Sequence, residues 1–262
     1  MRSADYAMGG LVTFDVRPGP CPPGEAERAL GKARTLLQRA DEIFGTWRPD
    51  SPVSRLRRDE ITLAHAPPEV AEVLWRCADA RRISSGWFDP WGAQGGVDPT
   101  GIVRGWAADG ALGLLRRAGV RAARVDAGTV VAAFGEPQPG LPWRMDLVDG
   151  CAIRPEAGAG QETMAVATAP AGAHASRWTT VKVTGPDPVL AEALMAAVVA
   201  AGPHEGLAVV DRVPGFGAAV VAGDGRVRAT PGLMRVAAGD GSGARTRTPR
   251  PTTAARRATF AA

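Results

Sequence analysis

The feature that most constrains the fold is a stretch, residues 100–119, with a helical pattern that places glycine repeatedly on one side. Residues four apart form one ridge on a helix surface, and here that ridge consists of Gly101, Gly105, Asp109 and Gly113. Each interior glycine destabilises a helix by about 1 kcal/mol relative to alanine. Either the glycines let another helix or strand pack closely, with Asp109 capping a nearby group, or a ligand lies along the shallow groove. Spacing alone favours close packing, because glycine commonly serves that purpose.

The segments before this helix predict strands and helices in an irregular order. Residues 11–16 alternate as a β-strand does, and residues 25–44 have the apolar spacing of an amphipathic helix. Residues 45–61 are expected to form a loop. A further helix is predicted to open at Pro67 and Pro68.

The second half of the sequence has short strand patterns separated by loops rich in glycine and proline. A helix of small apolar residues is predicted from residue 187 onward, and Gly202 is expected to end it. Residues 217–232 are typical of a β-hairpin that turns through residues 223–225. Because strands and helices do not follow a regular βαβ order, the sequence favours an α+β fold.

The net positive charge is concentrated in residues 237–262. This segment holds five arginines and one acid, Asp240, which accounts for the net charge of +4 of the whole chain. The remainder is neutral overall, so nucleic-acid binding, which needs clustered positive charge on the folded body, is not expected. The segment is also poor in large apolar residues. We therefore predict one folded domain over residues 1–236 and a disordered tail over residues 237–262.

Cysteine usage and hydropathy predict a cytoplasmic protein. Cys21, Cys77 and Cys151 lie far apart without a CxxC pair, which argues against a zinc site or a disulfide framework. No apolar run is judged long enough to span a bilayer, and the N-terminal residues lack the apolar core of a signal peptide. We therefore expect no membrane span.

Two nearby blocks carry a resemblance to a known family. They read FDP at residues 88–90 and VDPTGIVRGWAADGALGLLRRAGV at residues 97–120. Together they resemble the central signature of FAD:protein FMN transferases, the ApbE family. Weaker blocks follow the family in the same order, from about Met8 to Gly232. The resemblance implies an α+β fold of the ApbE type, T-fold-like, with mixed strands and helices around one flavin site.

The resemblance also implies a reaction and a set of site residues. Members of the family bind FAD and, with Mg²⁺, transfer its FMN half to a threonine or serine of an acceptor protein, releasing AMP. By position, the residues around the flavin would be Met8, Phe88, Asp89, Asp98, Gly101, Arg104, Asp109, Gly128 and Thr168. Trp87 and Trp91 are either stacking residues or core residues. His174 is either the counterpart of a family histidine, and so a candidate catalytic residue, or a chance match.

The sequence departs from the family pattern at the metal site and in two loops. The resemblance places metal ligands at the backbone of Ala127 and at Glu192, and it places Ala196 where the family has a threonine. Glutamate offers the hard oxygen that Mg²⁺ prefers, and the alternative for Glu192 is a solvated helix residue. The family's GGD is GTV at residues 128–130, and its TSG is TAP at residues 168–170.

Two hypotheses of function follow. The first is an Mg²⁺-dependent FAD:protein FMN transferase with an altered site. The second is a non-catalytic flavin-binding protein of the same fold. The predicted partner is an acceptor protein that carries a threonine or serine flavinylation motif, and a homodimer is left open. No nucleic-acid partner is expected.

Overall fold

An antiparallel sheet organises the structure, a computed structural model that describes residues 1–141, 143–148, 151–153, 163–170, 178–231 and 233. The strands of the described residues are β1 Arg2–Ala7, β2 Gly10–Arg17, β3 Ala122–Asp126, β4 Val130–Phe134, β5 Met145–Val148, β6 Cys151–Ile153, β7 Thr163–Pro170, β8 Trp178–Gly185, β9 Gly217–Ala222 and β10 Val227–Ala229. Eight of them form one sheet in the order β1-β2-β3-β4-β7-β8-β9-β10, while β5 and β6 pair separately.

Helices cover one face of this sheet. They are α1 Glu25–Phe44, α2 Pro52–Arg57, α3 Pro68–Ile83, α4 Thr100–Arg117 and α5 Pro188–Asp211, with a 3-10 turn at Leu63–His65. Helix α4 contacts β3 and β4, and α5 contacts β4, β7, β8 and β9. Helices α1 and α3 pack on this pair from outside, so α4 and α5 form the middle layer.

The alternation of strand side chains creates two apolar clusters, one on each face of the sheet. Along β4, Val130, Ala132 and Phe134 belong to the main cluster under the helices. Ala133 belongs to a second cluster with Trp143. The indole N–H of Trp143 donates to the carbonyl of Phe134 at 2.9 Å, so the buried ring has its polar atom satisfied.

The glycines of α4 lie against other parts of the fold. A Cβ added to Gly105 would collide with the carbonyl oxygen of Pro188 and lie 2.9 Å from the Cα of Val189. A Cβ added to Gly101 would lie 3.0 Å from the ring of Phe88. The structure therefore supports the packing interpretation of the glycine ridge: it lets the start of α5 and the ring of Phe88 approach α4 closely.

The prediction of a loop over residues 45–61 is wrong, because α2 lies within it. Ser51 caps this helix: its hydroxyl accepts a hydrogen bond from the backbone N–H of Ser54 at 3.1 Å. Proline follows Ser51 at the first helical position, where its missing N–H is not needed. A serine followed by proline is a local signal for the start of a helix, but the polar composition of residues 45–61 predicts a loop.

The last long helix continues past its predicted end. Gly202 has φ 78° and ψ 173°, which interrupts the helix as the sequence predicts, but helical geometry resumes and continues to Asp211. Among the described residues, α5 is the one helix long and apolar enough to cross a membrane, with a mean hydropathy of 1.6. The expectation from the sequence that no apolar run is long enough to span a bilayer is therefore wrong for this helix. The helix packs on four strands and on α4, and a buried core helix passes the same test.

Candidate functional site

The turn between β1 and β2 holds Met8 in a backbone conformation that is unusual for its residue type. Met8 and Gly9 have φ values of 53° and 75°, and the residues on either side of them, Ala7 and Gly10, pair with each other. Two-residue turns with both φ values positive favour asparagine and glycine. Met8 is nevertheless buried, with 3% of its surface exposed. A left-handed, buried methionine is strained, and such strain is often associated with a functional site.

Two side chains from distant helices hold the backbone of this residue. The N–H of Met8 donates to Oδ1 of Asp41, in the last turns of α1, at 2.7 Å. Nη2 of Arg104, in α4, donates to the carbonyl oxygen of Met8 at 2.9 Å. Met8 and Arg104 are 96 residues apart in sequence. The structure thus brings together two of the residues that the resemblance assigns to the flavin site.

These residues line a small cavity of about 40 Å³. Its wall is formed by Met8, Ala40, Asp41, Phe44, Gly45, Trp47, Thr100, Val103 and Arg104. The volume holds a few water molecules and is far below that of a pocket which encloses a drug-sized ligand. A larger ligand could place only one part here, with the rest lying against the surrounding surface.

The loop before α4 fixes one side of the cavity. Phe88 is buried and packs on Gly101. Oδ1 of Asp98 accepts hydrogen bonds from the backbone N–H of Thr100 at 3.0 Å and from its hydroxyl at 2.6 Å. Asp98 therefore positions Thr100, which lines the cavity, at the start of α4.

The predicted site residue Asp89 lies on the outer side of the same loop. It forms an ion pair with Arg81 at 3.0 Å, and its hydrogen bond to Arg81 lowers the pKa of the Asp89 carboxyl. Trp87 and Trp91 are 43% and 45% exposed, which excludes the interpretation of these two residues as core. Their role as stacking residues stays a prediction.

A second polar contact joins α4, α5 and the turn between β3 and β4. Glu192, on α5, is 2% exposed, so the alternative of a solvated helix residue is wrong. Its Oε2 accepts from the backbone N–H of Gly105 at 2.8 Å, and its Oε1 accepts from the hydroxyl of Thr129 at 3.1 Å. The Glu192 carboxylate is thus buried but hydrogen-bonded at both oxygens.

The charge of Glu192 is only partly compensated. Burial raises the pKa of Glu192 to about 7, and the hydrogen bonds from Gly105 and Thr129, together with the charge of Arg104, limit that rise. A buried carboxylate without a full counter-charge is unfavourable in its ionised form. It is therefore a position where a bound cation would be stabilising.

The residues around Glu192 offer few of the oxygen ligands that a magnesium ion needs. Among the described residues no three His, Cys, Asp or Glu side chains come close enough to hold a metal. Ala196 contributes no side-chain oxygen, but the Thr129 hydroxyl lies beside the carboxylate, and the resemblance adds the backbone carbonyl of Ala127. All three groups are hard oxygens, and Mg²⁺ commonly completes its coordination with water and substrate phosphate.

The remaining predicted residues lie around this second contact or outside the described residues. Gly128 is exposed, has φ 83°, and would have open space around an added Cβ. The N–H of Thr168 donates to the carbonyl oxygen of Thr129 at 2.7 Å, which places Thr168 next to the turn. His174 lies outside the described residues.

Asp109 lies in a different environment from the cavity. Burial raises the pKa of Asp109, the nearby Asp187 adds to that rise, and Arg76 and Arg116 oppose it. Among the described residues Asp109 makes no hydrogen bond, so it caps nothing; Asp187 itself caps α5. Asp109 does not line the cavity, and its contact with flavin stays a prediction.

Several residues of the site were not predicted from the sequence, among them two acidic or aromatic residues of the cavity wall and one residue of the contact around Glu192. Asp41 and Trp47 line the cavity, and Thr129 bonds to Glu192. Trp47 could have been suspected, because it is an aromatic residue in a polar segment that lies between two helices. Asp41 carries no such signal, since it occupies an ordinary polar position of an amphipathic helix.

Comparison with known protein families shows which family the chain belongs to. The ApbE family model matches residues 8–94 and 91–170, more than half of the sequence. The chain belongs to the ApbE family. The match includes Met8, the central block and Thr168, whereas Glu192 lies beyond it. A search among curated proteins returned no match.

Solved ApbE structures share the fold. The apo flavinyl transferase ApbE of Pseudomonas stutzeri is 20% identical, with a TM-score of 0.74 over 90% of this chain and 97% of its own. The flavin transferase ApbE of Vibrio cholerae is 17% identical, with a TM-score of 0.69 over 90% and 98%. The ApbE protein of Thermotoga maritima is 17% identical, with a TM-score of 0.70 over 90% and 99%. The predicted α+β fold of the ApbE type is confirmed.

Proposed function

We propose that this ApbE protein is a flavin transferase that moves the FMN half of FAD to a threonine or serine of an acceptor protein and releases AMP. Family membership and the fold shared with flavin transferases support this proposal. The observation that supports it most directly is that Met8 and Arg104 are hydrogen-bonded to each other and line the same cavity. Both are positions that the family resemblance assigns to the flavin site.

The side chains around the cavity suit a flavin nucleotide. Trp47 is 57% exposed at the cavity wall, where its ring can stack on a planar heterocycle. Arg104 uses one N–H for Met8, and a guanidinium has further donors for phosphate oxygens. We infer that one ring of FAD lies against Trp47 at the mouth of the cavity while the pyrophosphate lies near Arg104.

In the proposed reaction, the acceptor hydroxyl attacks the phosphorus of the FMN half. The bond from that phosphorus to the bridging oxygen breaks, AMP leaves with the oxygen, and the hydroxyl proton passes to a base or to water. Mg²⁺, when bound, neutralises charge on phosphate oxygens in such transfers. Glu192, Thr129 and the backbone of Ala127 would hold it. His174 is the candidate base.

A second candidate function is supported by the composition of the metal site. Glu192 is the one carboxylate in the contact with Gly105 and Thr129, and Ala196 supplies no oxygen. A site with so few ligands could bind flavin without cleaving it. The two candidate functions differ in one product: a transferase releases AMP from bound FAD, and a protein that only binds flavin does not.

Titration of FAD into the protein, followed by flavin fluorescence, tests the binding part of the proposal. We expect the Arg104→Gln variant to bind FAD about tenfold more weakly, because a charge-assisted contact is lost. The matched control is Arg117→Gln, since Arg117 is an exposed arginine on the same helix. An equal affinity of Arg104→Gln and the wild type would place the flavin elsewhere, and no binding by the wild type would refute the proposed function.

The location, the partner and the domain bounds of the protein are proposals as well. We propose a cytoplasmic location, an acceptor protein as partner, and a folded domain over residues 1–236. A homodimer is kept as an open alternative. The tail over residues 237–262 lies outside the described residues.

A further inference from the structure

The Met8–Gly9 turn does not hold its shape through its own sequence. The second position is glycine, which tolerates a positive φ, but the first is methionine, for which a left-handed conformation is unfavourable. Met8 is also among the most buried residues next to the cavity. A turn of this kind persists only where surrounding groups impose it.

Asp41 is the group that imposes the conformation from the N–H side. Its Oδ1 accepts the Met8 N–H at 2.7 Å across 33 residues of sequence, a short distance for a bond to a charged acceptor. Within the described part of the chain, this is the single hydrogen bond of the Asp41 carboxylate, which also forms no ion pair there. The Asp41 carboxylate thus makes its one described hydrogen bond to the Met8–Gly9 turn.

The position of Asp41 makes this bond relevant to the cavity. Asp41 and Met8 both line the cavity, and Arg104, which holds the other side of the Met8 peptide, lines it as well. Helix α1 anchors Asp41 itself, because its carbonyl accepts the N–H of Gly45 at 3.0 Å at the helix end. A shift of the turn would therefore change the shape of the cavity wall and the place of the Arg104 guanidinium.

We propose that Asp41 is a positioning residue, which locks the Met8–Gly9 turn in the conformation that forms the ligand site. Asp41 acts through Met8 and Arg104, and its effect on ligand affinity is exerted by their placement. The proposal rests on the proposed function, since FAD is the ligand whose affinity would change.

Three variants test the proposal by two readouts. Asp41→Ala removes the acceptor, Asp41→Asn keeps a carbonyl oxygen that can accept the same N–H, and Glu42→Ala changes the exposed neighbouring acid of the same helix. The readouts are hydrogen exchange of the Met8 amide, which reports the bond directly, and FAD affinity by flavin fluorescence. Exchange does not depend on flavin.

We expect Asp41→Ala to expose the Met8 amide to rapid exchange and to weaken FAD binding about tenfold. Asp41→Asn should restore most of both properties, and Glu42→Ala should change neither. If Asp41→Ala does not fold, a loss of Met8 protection in a folded Asp41→Asn variant with unchanged FAD affinity would overturn the proposal.

Other results identify which statement is wrong. An unchanged Met8 amide in Asp41→Ala would refute the locking bond, and a mobile amide with unchanged FAD affinity would refute its role in binding. If the wild type binds no FAD, the proposed function fails. The locking bond is then judged by exchange alone, and the link to ligand binding is refuted.

Discussion

Among single residues, Glu192 has the most distinctive chemistry in the structure. It stands where the resemblance places a metal ligand, yet it is buried and bonded to Gly105 and Thr129. Val130 stands where the family's GGD has its carboxylate, and Thr129, in place of the second glycine, donates its hydroxyl to Glu192. The Thr129 hydroxyl thus gives the buried Glu192 carboxylate a hydrogen-bond partner from the turn between β3 and β4.

The raised pKa of Glu192 predicts a specific dependence of stability on pH. Burial raises this pKa to about 7 from an ordinary value of 4.5. Well below pH 4.5 the group is protonated in both states and has no effect on the free energy of unfolding. As the pH rises to 7 the unfolded state ionises more readily, so the free energy of unfolding falls by an amount on the order of 3 kcal/mol, and above that it levels off.

Urea unfolding of the metal-free protein between pH 5 and pH 8, in the presence of EDTA, measures this effect. The Glu192→Gln variant keeps the size of the side chain and cannot ionise, so its stability should fall less over this range than that of the wild type. The same decline in both proteins would show that Glu192 titrates normally.

Among secondary-structure elements, the packing of α4 on the start of α5 depends on glycine. The Gly105→Ala variant would place a Cβ against the backbone of Pro188 and Val189. Because these close atoms belong to the backbone, no flexible side chain can move aside. We expect a loss of stability of about 1–3 kcal/mol, as for overpacked sites. It would also disturb the N–H that bonds Glu192.

A glycine on α1 provides the matched control. Gly31 is exposed, lies inside the helix and has no atom within 4 Å of an added Cβ. Gly31→Ala should therefore stabilise the protein by about 1 kcal/mol through helix propensity. Urea unfolding of both variants gives the comparison, and a gain in stability for Gly105→Ala would contradict the close packing.

The sequence predicted those elements whose signals are local. The helix over residues 25–44 has the predicted ends, and the hairpin of β9 and β10 forms as expected. The edge strand β1 and the six-residue α2 were missed, because short segments carry little periodicity. Gly202 was recognised as a break, but no local signal showed that helical geometry would resume after it.

The candidate site was less predictable because its contacts are long-range. Met8 and Arg104 were identified through the family resemblance, while the Asp41 carboxylate that joins them to α1 was not. No spacing rule connects residue 41 to residue 8. The sequence also left both uses of the glycine ridge open, and only the position of α5 distinguishes them.

For the whole molecule, the proposed folded domain over residues 1–236 excludes the C-terminal segment. Removal of residues 237–262 deletes five arginines and one acid. We expect the truncated protein to keep the urea midpoint and the FAD affinity of the full chain, because the cavity residues all precede the segment. A loss of FAD affinity on truncation would show that the segment contributes to the site.

The central claim, that the altered site still performs flavin transfer chemistry, is tested most directly by measuring AMP. The purified protein is incubated with FAD, with Mg²⁺ or with EDTA, and AMP is quantified by chromatography, with Glu192→Gln as the comparison. We predict AMP release that requires Mg²⁺ and is strongly reduced in the variant. FAD that stays bound and intact with Mg²⁺ present would contradict the claim and identify a flavin-binding protein without transferase activity.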